Sequence, residues 1–383
     1  MKFFTALLST SLAILLCSCS SFSSKNEQET KIAAILPLTG QRAFSGKKAK
    51  EGILLAYDQI KKRGPIRGKT IKLVIIDNKS TPKGNREAIK SLIGNDQPAL
   101  IISDCNTAGA LTIKPFAMKN KIPVLLTIST GNIATERNPY MFRCCFTDKE
   151  QAKAMAQFAV KSRKIKDMGI MLDLNERVTY RRDLGRAFAE EFKKLSGKRA
   201  HKVGYNSQSK NFTFKLKHFK HDASKAIFAP CDIPDAGLMI KQARDCGINK
   251  ILLGSDGWDR PEIFKYSGGN IGECYISAMF SPDLNIPEVK HFVNSMKETT
   301  GQIPNADAAQ AYDALNIAVK ALKLAKNKND IRSGLYQIKD LQGVTGKISI
   351  NAEGDAKKPV FIKKIVKKAN GELGFKLINI IYP

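Results

Sequence analysis

The stretch Lys31-Ile32-Ala33-Ala34-Ile35-Leu36-Pro37-Leu38-Thr39-Gly40 decides how this chain folds. Residues 32–36 form a short apolar strand, and Pro37 and Gly40 punctuate the loop that follows. Beyond the loop Ala49, Ile53, Ala56, Tyr57 and Ile60 recur at the spacing of one helix face. Strand, loop and amphipathic helix in that order build parallel sheets covered on both faces.

The unit repeats along the chain. Strands are expected at 71–76, 99–102 and 123–126, with helices at 82–93 and 108–119 between them. A second series begins near Asp148, with helices at 151–160, 183–195 and 235–246 alternating with strands at 168–172, 226–229 and 251–253. The tail adds helices over 289–298 and 308–325, then strand-like runs at 347–350, 360–366 and 375–381. The expected class is α/β, two doubly wound parallel sheets in succession, without low-complexity segments or short-period repeats.

A chain of 383 residues suits two lobes, each with its own core, and 43% apolar residues is ordinary for a globular protein. Its charge is not ordinary, since 63 Lys+Arg against 35 Asp+Glu leave +28. The basic residues are spread over the whole length, as in Lys61/Lys62/Arg63 and Lys363/Lys364, with no aromatic-interleaved stripe. They read as solvated faces with a secondary attraction to anionic envelope surfaces, and no nucleic-acid partner is expected.

The N-terminus points to export. Lys2, an apolar run over 6–16 and Leu16-Cys17-Ser18-Cys19 have the anatomy of a secretory signal, with an apolar core too short to span a bilayer. The last four residues resemble the bacterial lipobox, which implies a signal peptide over 1–18, a lipidated Cys19 and a flexible tether over 19–30. An ordinary cleaved signal is the plainer alternative. The other six of the eight cysteines (105, 144, 145, 231, 246 and 274) show no CxxC pair. Disulfides among them stay open at this stage, although adjacent Cys144 and Cys145 are poorly placed to bond each other.

Ligands of open α/β sheets gather beyond the carboxyl ends of strands. That rule selects four loops, at 38–46, 104–109, 128–131 and 254–258. The second and third join hydroxyl residues to glycine, so hydroxyls and backbone N–H groups converge on an anion such as a carboxylate. The fourth, Gly254-Ser255-Asp256-Gly257-Trp258, offers an acid suited to an ammonium.

These loops, together with Pro37-Leu38-Thr39-Gly40, Ile122-Pro123-Val124, Asn138-Pro139-Tyr140-Met141-Phe142-Arg143, Gln242-Ala243-Arg244, Tyr312-Asp313-Ala314 and Gly343-Val344-Thr345-Gly346, resemble the Leu/Ile/Val-type (branched-chain amino acid) extracellular solute-binding proteins of ABC transporters. The resemblance runs in order from about Lys31 to Asp355. It implies a two-lobed periplasmic-binding-protein type I fold with a three-segment hinge, lobe 1 from 31–145 plus 278–339 and lobe 2 from 146–277 plus 340–383. It also implies an amino acid held by its charged ends, with Thr107, Ser129 and Thr130 on the carboxylate side, Tyr180 lying over the ligand and Asp256 accepting the ammonium, while Asn106, a candidate ligand-binding residue, departs from the family pattern by replacing the usual small residue before the hydroxyl. Ser45 stands where a bulky aromatic is usual and implies a roomier pocket. Asp232, if it faces the cleft, adds a second acid and favours extra positive charge on the ligand.

Each residue also has a plainer role. Thr107 suits a helix N-cap, Ser129 and Thr130 a turn, Tyr180 a core or surface aromatic, Asp256 a Gly-flanked turn, and Asp232 a solvated loop. Trp258 suits a pocket wall and a core filler equally.

No enzyme is expected: GxSxG, the Gly-rich phosphate loop and GxGxxG after a strand are all missing. His218-x-x-His221 sits among Lys215, Lys217 and Lys220, which oppose a metal ion, and no cofactor is called for. The resemblance makes this a lipid-anchored envelope protein that captures an amino acid and presents it to ABC permease subunits. A same-fold interaction protein of the penicillin-binding-protein activator type, or a ligand sensor without transport, is the alternative.

Overall fold

The computed structural model describes residues 29–93, 97–175, 179–326 and 330–383. The export segment and Cys19 therefore lie outside the described residues. β1 (Glu29–Leu36) begins two residues inside the span expected to be tether. Its residues 32–36 are wholly buried because β1 lies between β2 (Thr70–Asp77) and β3 (Leu100–Ser103), parallel to both. α1 (Ala43–Lys62), α2 (Pro82–Ser91) and α3 (Thr107–Asn120) are the crossovers, and β4 (Val124–Leu126) and β5 (Met141–Arg143) complete the sheet in the order β2-β1-β3-β4-β5. Successive side chains of a strand face opposite ways. Ile32 and Ala34 accordingly pack with Ala49, Ile53 and Ala56 of α1, while Ala33 and Ile35 pack with Ala88 and Ile89 of α2 and Ile113 of α3.

The second series follows the same plan with α4 (Asp148–Gln157), β6 (Met168–Asp173), α5 (Thr179–Ser196), β7 (His201–Tyr205), α6 (Thr213–Lys217), β8 (Ala226–Ala229), α7 (Asp235–Asp245), β9 (Ile251–Gly254), α8 (Ile263–Tyr266) and β10 (Cys274–Ala278). β7 has no continuous apolar run to announce it, because it is the edge strand and hides only part of its length. The chain then returns to the first sheet as α9 (Pro287–Thr300), α10 (Ala306–Leu324), α11 (Ile331–Tyr336) and the antiparallel strands β11 (Leu341–Gly343), β12 (Gly346–Ile350) and β13 (Ala356–Lys357). α10 lies along α1 at Gly52, where an added Cβ would stand 2.0 Å from the Ala308 carbonyl oxygen. β14 (Val360–Lys367) and β15 (Leu373–Ile381) close the second sheet as an antiparallel ribbon, in the order β15-β14-β10-β9-β8-β6-β7.

One expected boundary is corrected. The resemblance implies lobe 2 for residues 340–357, yet Ile348, Ile350 and Ala356 are buried in the core that holds Ile32 and Ala314. The cause is Asp313 of α10, whose carboxylate accepts the Val344 and Thr345 N–H groups, each at 2.9 Å, and the Thr345 hydroxyl at 2.5 Å. The third passage between the sheets therefore follows β13. There Lys358, buried, donates to the Cys144 carbonyl at 3.1 Å, Gln310 Oε1 at 3.2 Å and the Thr345 hydroxyl at 2.5 Å. One cation thus joins the first passage, α10 and the β11–β12 turn.

Candidate functional site

Loops that follow strands of the two sheets meet, as where Arg260 donates to the Ser45 hydroxyl at 2.7 Å and the Asp148 N–H to the Thr130 carbonyl at 2.9 Å. On the first lobe Asn106 caps α3, its Oδ1 accepting the Gly109 N–H at 2.9 Å. The cap is therefore Asn106, and its side chain serves the helix rather than a ligand. Thr107 is freed from that duty, and its hydroxyl oxygen accepts the Gly131 N–H at 3.1 Å. A hydroxyl that accepts one bond still has its proton to donate. Only glycine fits at 131, because a Cβ there would come within 2.6 Å of Thr107 Cγ2.

The loop over 129–131 is held from beneath. Buried Arg143 donates to the Ser129 carbonyl at 2.7 Å, the Gly131 carbonyl at 3.0 Å and the Thr135 hydroxyl at 2.8 Å, and pairs with Asp355 at 2.7 Å. Ser129 does not offer a hydroxyl to the cleft: it is fully buried and donates to the Cys105 carbonyl at 2.5 Å. Thr130, also buried, accepts the Asp148 N–H at its carbonyl at 2.9 Å, which joins the two lobes at the start of α4.

On the second lobe, Asp256 Oδ1 accepts from Gln151 Nε2 at 2.7 Å. Tyr180 brings its hydroxyl to 3.0 Å from Ser255 Oγ and 3.5 Å from Asp256 Oδ1. Burial, reinforced by the Asp256 charge, holds the Tyr180 phenol well above its usual range, so it stays a donor. Asp148, missed in the sequence, is buried with the Thr130 hydroxyl as its hydrogen-bonding neighbour. Burial pushes it up to about 7, with the Thr130 hydroxyl opposing and the Asp256 charge adding to the rise. Asp256 is pushed up to about 6, again by burial, against the Gln151 bond and with the Asp232 charge adding.

Three expectations change. Asp232 is not a free second acid: it meets Arg181 at 3.4 Å with its side chain 46% exposed, and the same guanidinium serves Asp235 at 2.9 Å and Asp173 at 3.3 Å. Asp148 is the second acid beside Asp256. Ser45 does not simply leave space, because its hydroxyl accepts from Arg260 of the second lobe at 2.7 Å, and that guanidinium also stands 3.7 Å from Asp307. Trp258 is no pocket wall: it is fully buried in the second-lobe core against Gly254, where a Cβ would fall 2.2 Å from its ring.

The six described cysteines are free thiols, five of them buried. Among the described residues no cluster of His, Cys, Asp and Glu is placed to hold a metal ion, and no helix is long and apolar enough to cross a membrane. Asp148 and Gln151 did leave a sequence signal, since Thr147-Asp148-Lys149-Glu150 opens α4 with a capping box. Arg143 stood only at the end of the Asn138-to-Arg143 stretch with no role assigned, and Arg260 left no signal, because their partners are distant in sequence.

A family model described as periplasmic binding protein matches residues 29–370. A Leu/Ile/Val-binding protein homolog of Brucella melitensis is 24% identical over 345 residues, 89% of this chain and 92% of that protein. A leucine-binding protein of Thermotoga maritima superposes with a TM-score of 0.80 at 28% identity, covering 92% of this chain and 99% of that one. The branched-chain amino acid transporter substrate-binding protein of Streptococcus pneumoniae, solved with isoleucine, gives 0.76 at 24% identity over 92% and 99% of the two chains. The architecture is the two-lobed type I fold of binding proteins rather than of enzymes. With this topology and a match that spans nearly the whole described chain, the protein belongs to the periplasmic binding protein family.

Proposed function

We propose that this protein is the lipid-anchored substrate-binding component of an ABC importer and that it captures an amino acid between its lobes. One observation supports the proposal: hydroxyl groups stand on one lobe and carboxylates on the other. The first offers the Thr107 hydroxyl proton beside Thr130 and the loop held by Arg143, which suits a carboxylate. The second offers Asp256 with Asp148 near it, and carboxylates suit an ammonium. The ligand touches both halves only when the cleft is shut, so its binding favours the closed population that a permease would read. The isoleucine in the Streptococcus pneumoniae relative supports an amino acid as the ligand class. Lipidation at Cys19 would hold the lobes near their membrane partners. Calorimetric titration with the twenty amino acids tests the ligand class, and heat from none of them would refute it.

A further inference from the structure

β1 starts at Glu29, level with Thr70, the first residue of β2. Near the end of α1, Tyr57 donates to the Ile71 carbonyl at 3.1 Å. From the turn between α1 and β2, Arg67 donates to the carbonyls of Leu322 at 3.5 Å and Ala325 at 2.5 Å, at the C-terminal end of α10. The last turns of α1 and α10 therefore share one end of the first lobe with the point where the chain enters β1. Arg63, Lys320 and Lys323 also line one surface recess of about 290 Å³, together with His291 and Glu288.

That end is basic. Lys61, Lys62, Arg63, Lys323 and Lys326 are exposed, Lys69 is half-buried, and none of the six joins an ion pair among the described residues. The acids on the same stretches are Asp58 and Glu29, and Glu29 is already met by Lys72 at 3.1 Å. Charge alone does not single this end out, since Lys215, Lys217 and Lys220, at the far end of the second sheet, join no ion pair among the described residues either. Position does. Residues 19–28 reach about 35 Å from Cys19 at full stretch. β1 alone covers about 26 Å between its first residue and the cleft, and the second lobe lies beyond that. A membrane holding Cys19 therefore meets the Lys61-to-Lys72 end first, and cations there attract anionic headgroups over about one Debye length.

We propose that this end of the first lobe, residues 61–72 with the last turns of α10, docks on anionic phospholipid headgroups beside the anchor. The proposal rests on lipidation at Cys19. Standing on that end, the protein holds its cleft, where Ser45 at the other end of α1 meets Arg260, roughly 30 Å from the headgroups. The test places the lipidated protein in vesicles of phosphatidylcholine alone and of phosphatidylcholine with phosphatidylglycerol in equal parts, and reads the acetylation rate of single lysines by mass spectrometry. Lys61, Lys62, Lys323 and Lys326 should react about threefold or more slowly on the anionic vesicles than on the neutral ones, with Lys215, Lys217 and Lys220 unchanged, and about 1 M salt should abolish the difference. In the variant Lys61→Gln/Lys62→Gln/Arg63→Gln the protection of Lys323 and Lys326 should be largely lost, whereas Lys215→Gln/Lys217→Gln/Lys220→Gln should keep it. Equal protection at both ends, protection that ignores the lipid charge, or none at all overturns the proposal and leaves the anchor standing. A Cys19 that carries no acyl chain, read from the mass of the N-terminal peptide, removes both.

Discussion

Asp148 and Asp256 bring two carboxylates to one side of the cleft, and the donors bonded to Asp256 are Gln151 at 2.7 Å and Tyr180 at 3.5 Å. Arg143 and Asp183 also act on Asp148, and Asp232 and Arg260 on Asp256. With burial holding them at about 7 and about 6, the empty cleft keeps protons that free aspartates would have lost. An ammonium needs the ionised form, so affinity should rise as pH goes from about 5 to about 8, with protons released on binding. Calorimetry in two buffers of different ionisation enthalpy reads that release, and its absence would place the ammonium elsewhere. Asp256→Asn should weaken binding by about 10- to 100-fold, the worth of a charge-assisted bond.

At the scale of elements, the carboxylate side depends on how closely α3 and the 129–131 loop approach. Gly131→Ala should force Thr107 and the loop apart, costing about 1–3 kcal/mol of stability by overpacking and lowering ligand affinity as well. Thermal melts and titration together check both effects. Arg143 supports the same loop from β5, which explains why the Asn138-to-Arg143 stretch accompanies the site without reaching a ligand. Neither relation is visible in local periodicity, which reports which face of an element is buried but not what it meets. For the same reason the long helices and most central strands were legible, while central strand β10, edge strands β5 and β7, the short helices α6, α8 and α11 and the place of β11 to β13 were not.

At the scale of the molecule, Arg260 ties the second lobe to Ser45 and Asp307 of the first. Arg260→Ala should raise the open population of the unliganded protein by about two- to tenfold, the worth of one hydrogen bond, and X-ray scattering should record a larger radius of gyration. Cys19→Ala should free the protein from the membrane fraction while its folded body still binds ligand. Persistence of the variant in washed membranes would sink the proposed anchor.

By itself the sequence determined the α/β class, the two successive sheets and the loops at their strand ends, because burial and turn chemistry are written in spacings of a few residues. The family resemblance added Thr107, Thr130, Tyr180 and Asp256 as candidates. Only the tertiary structure decided that Trp258 fills a core, that Arg181 engages Asp232, that Arg260 reaches Ser45, and that Asp148 is buried where the Asp256 charge acts on it. Whether a buried carboxylate is satisfied depends on groups brought to it from distant parts of the chain. The path of the folded chain, and no local pattern, fixes which groups those are.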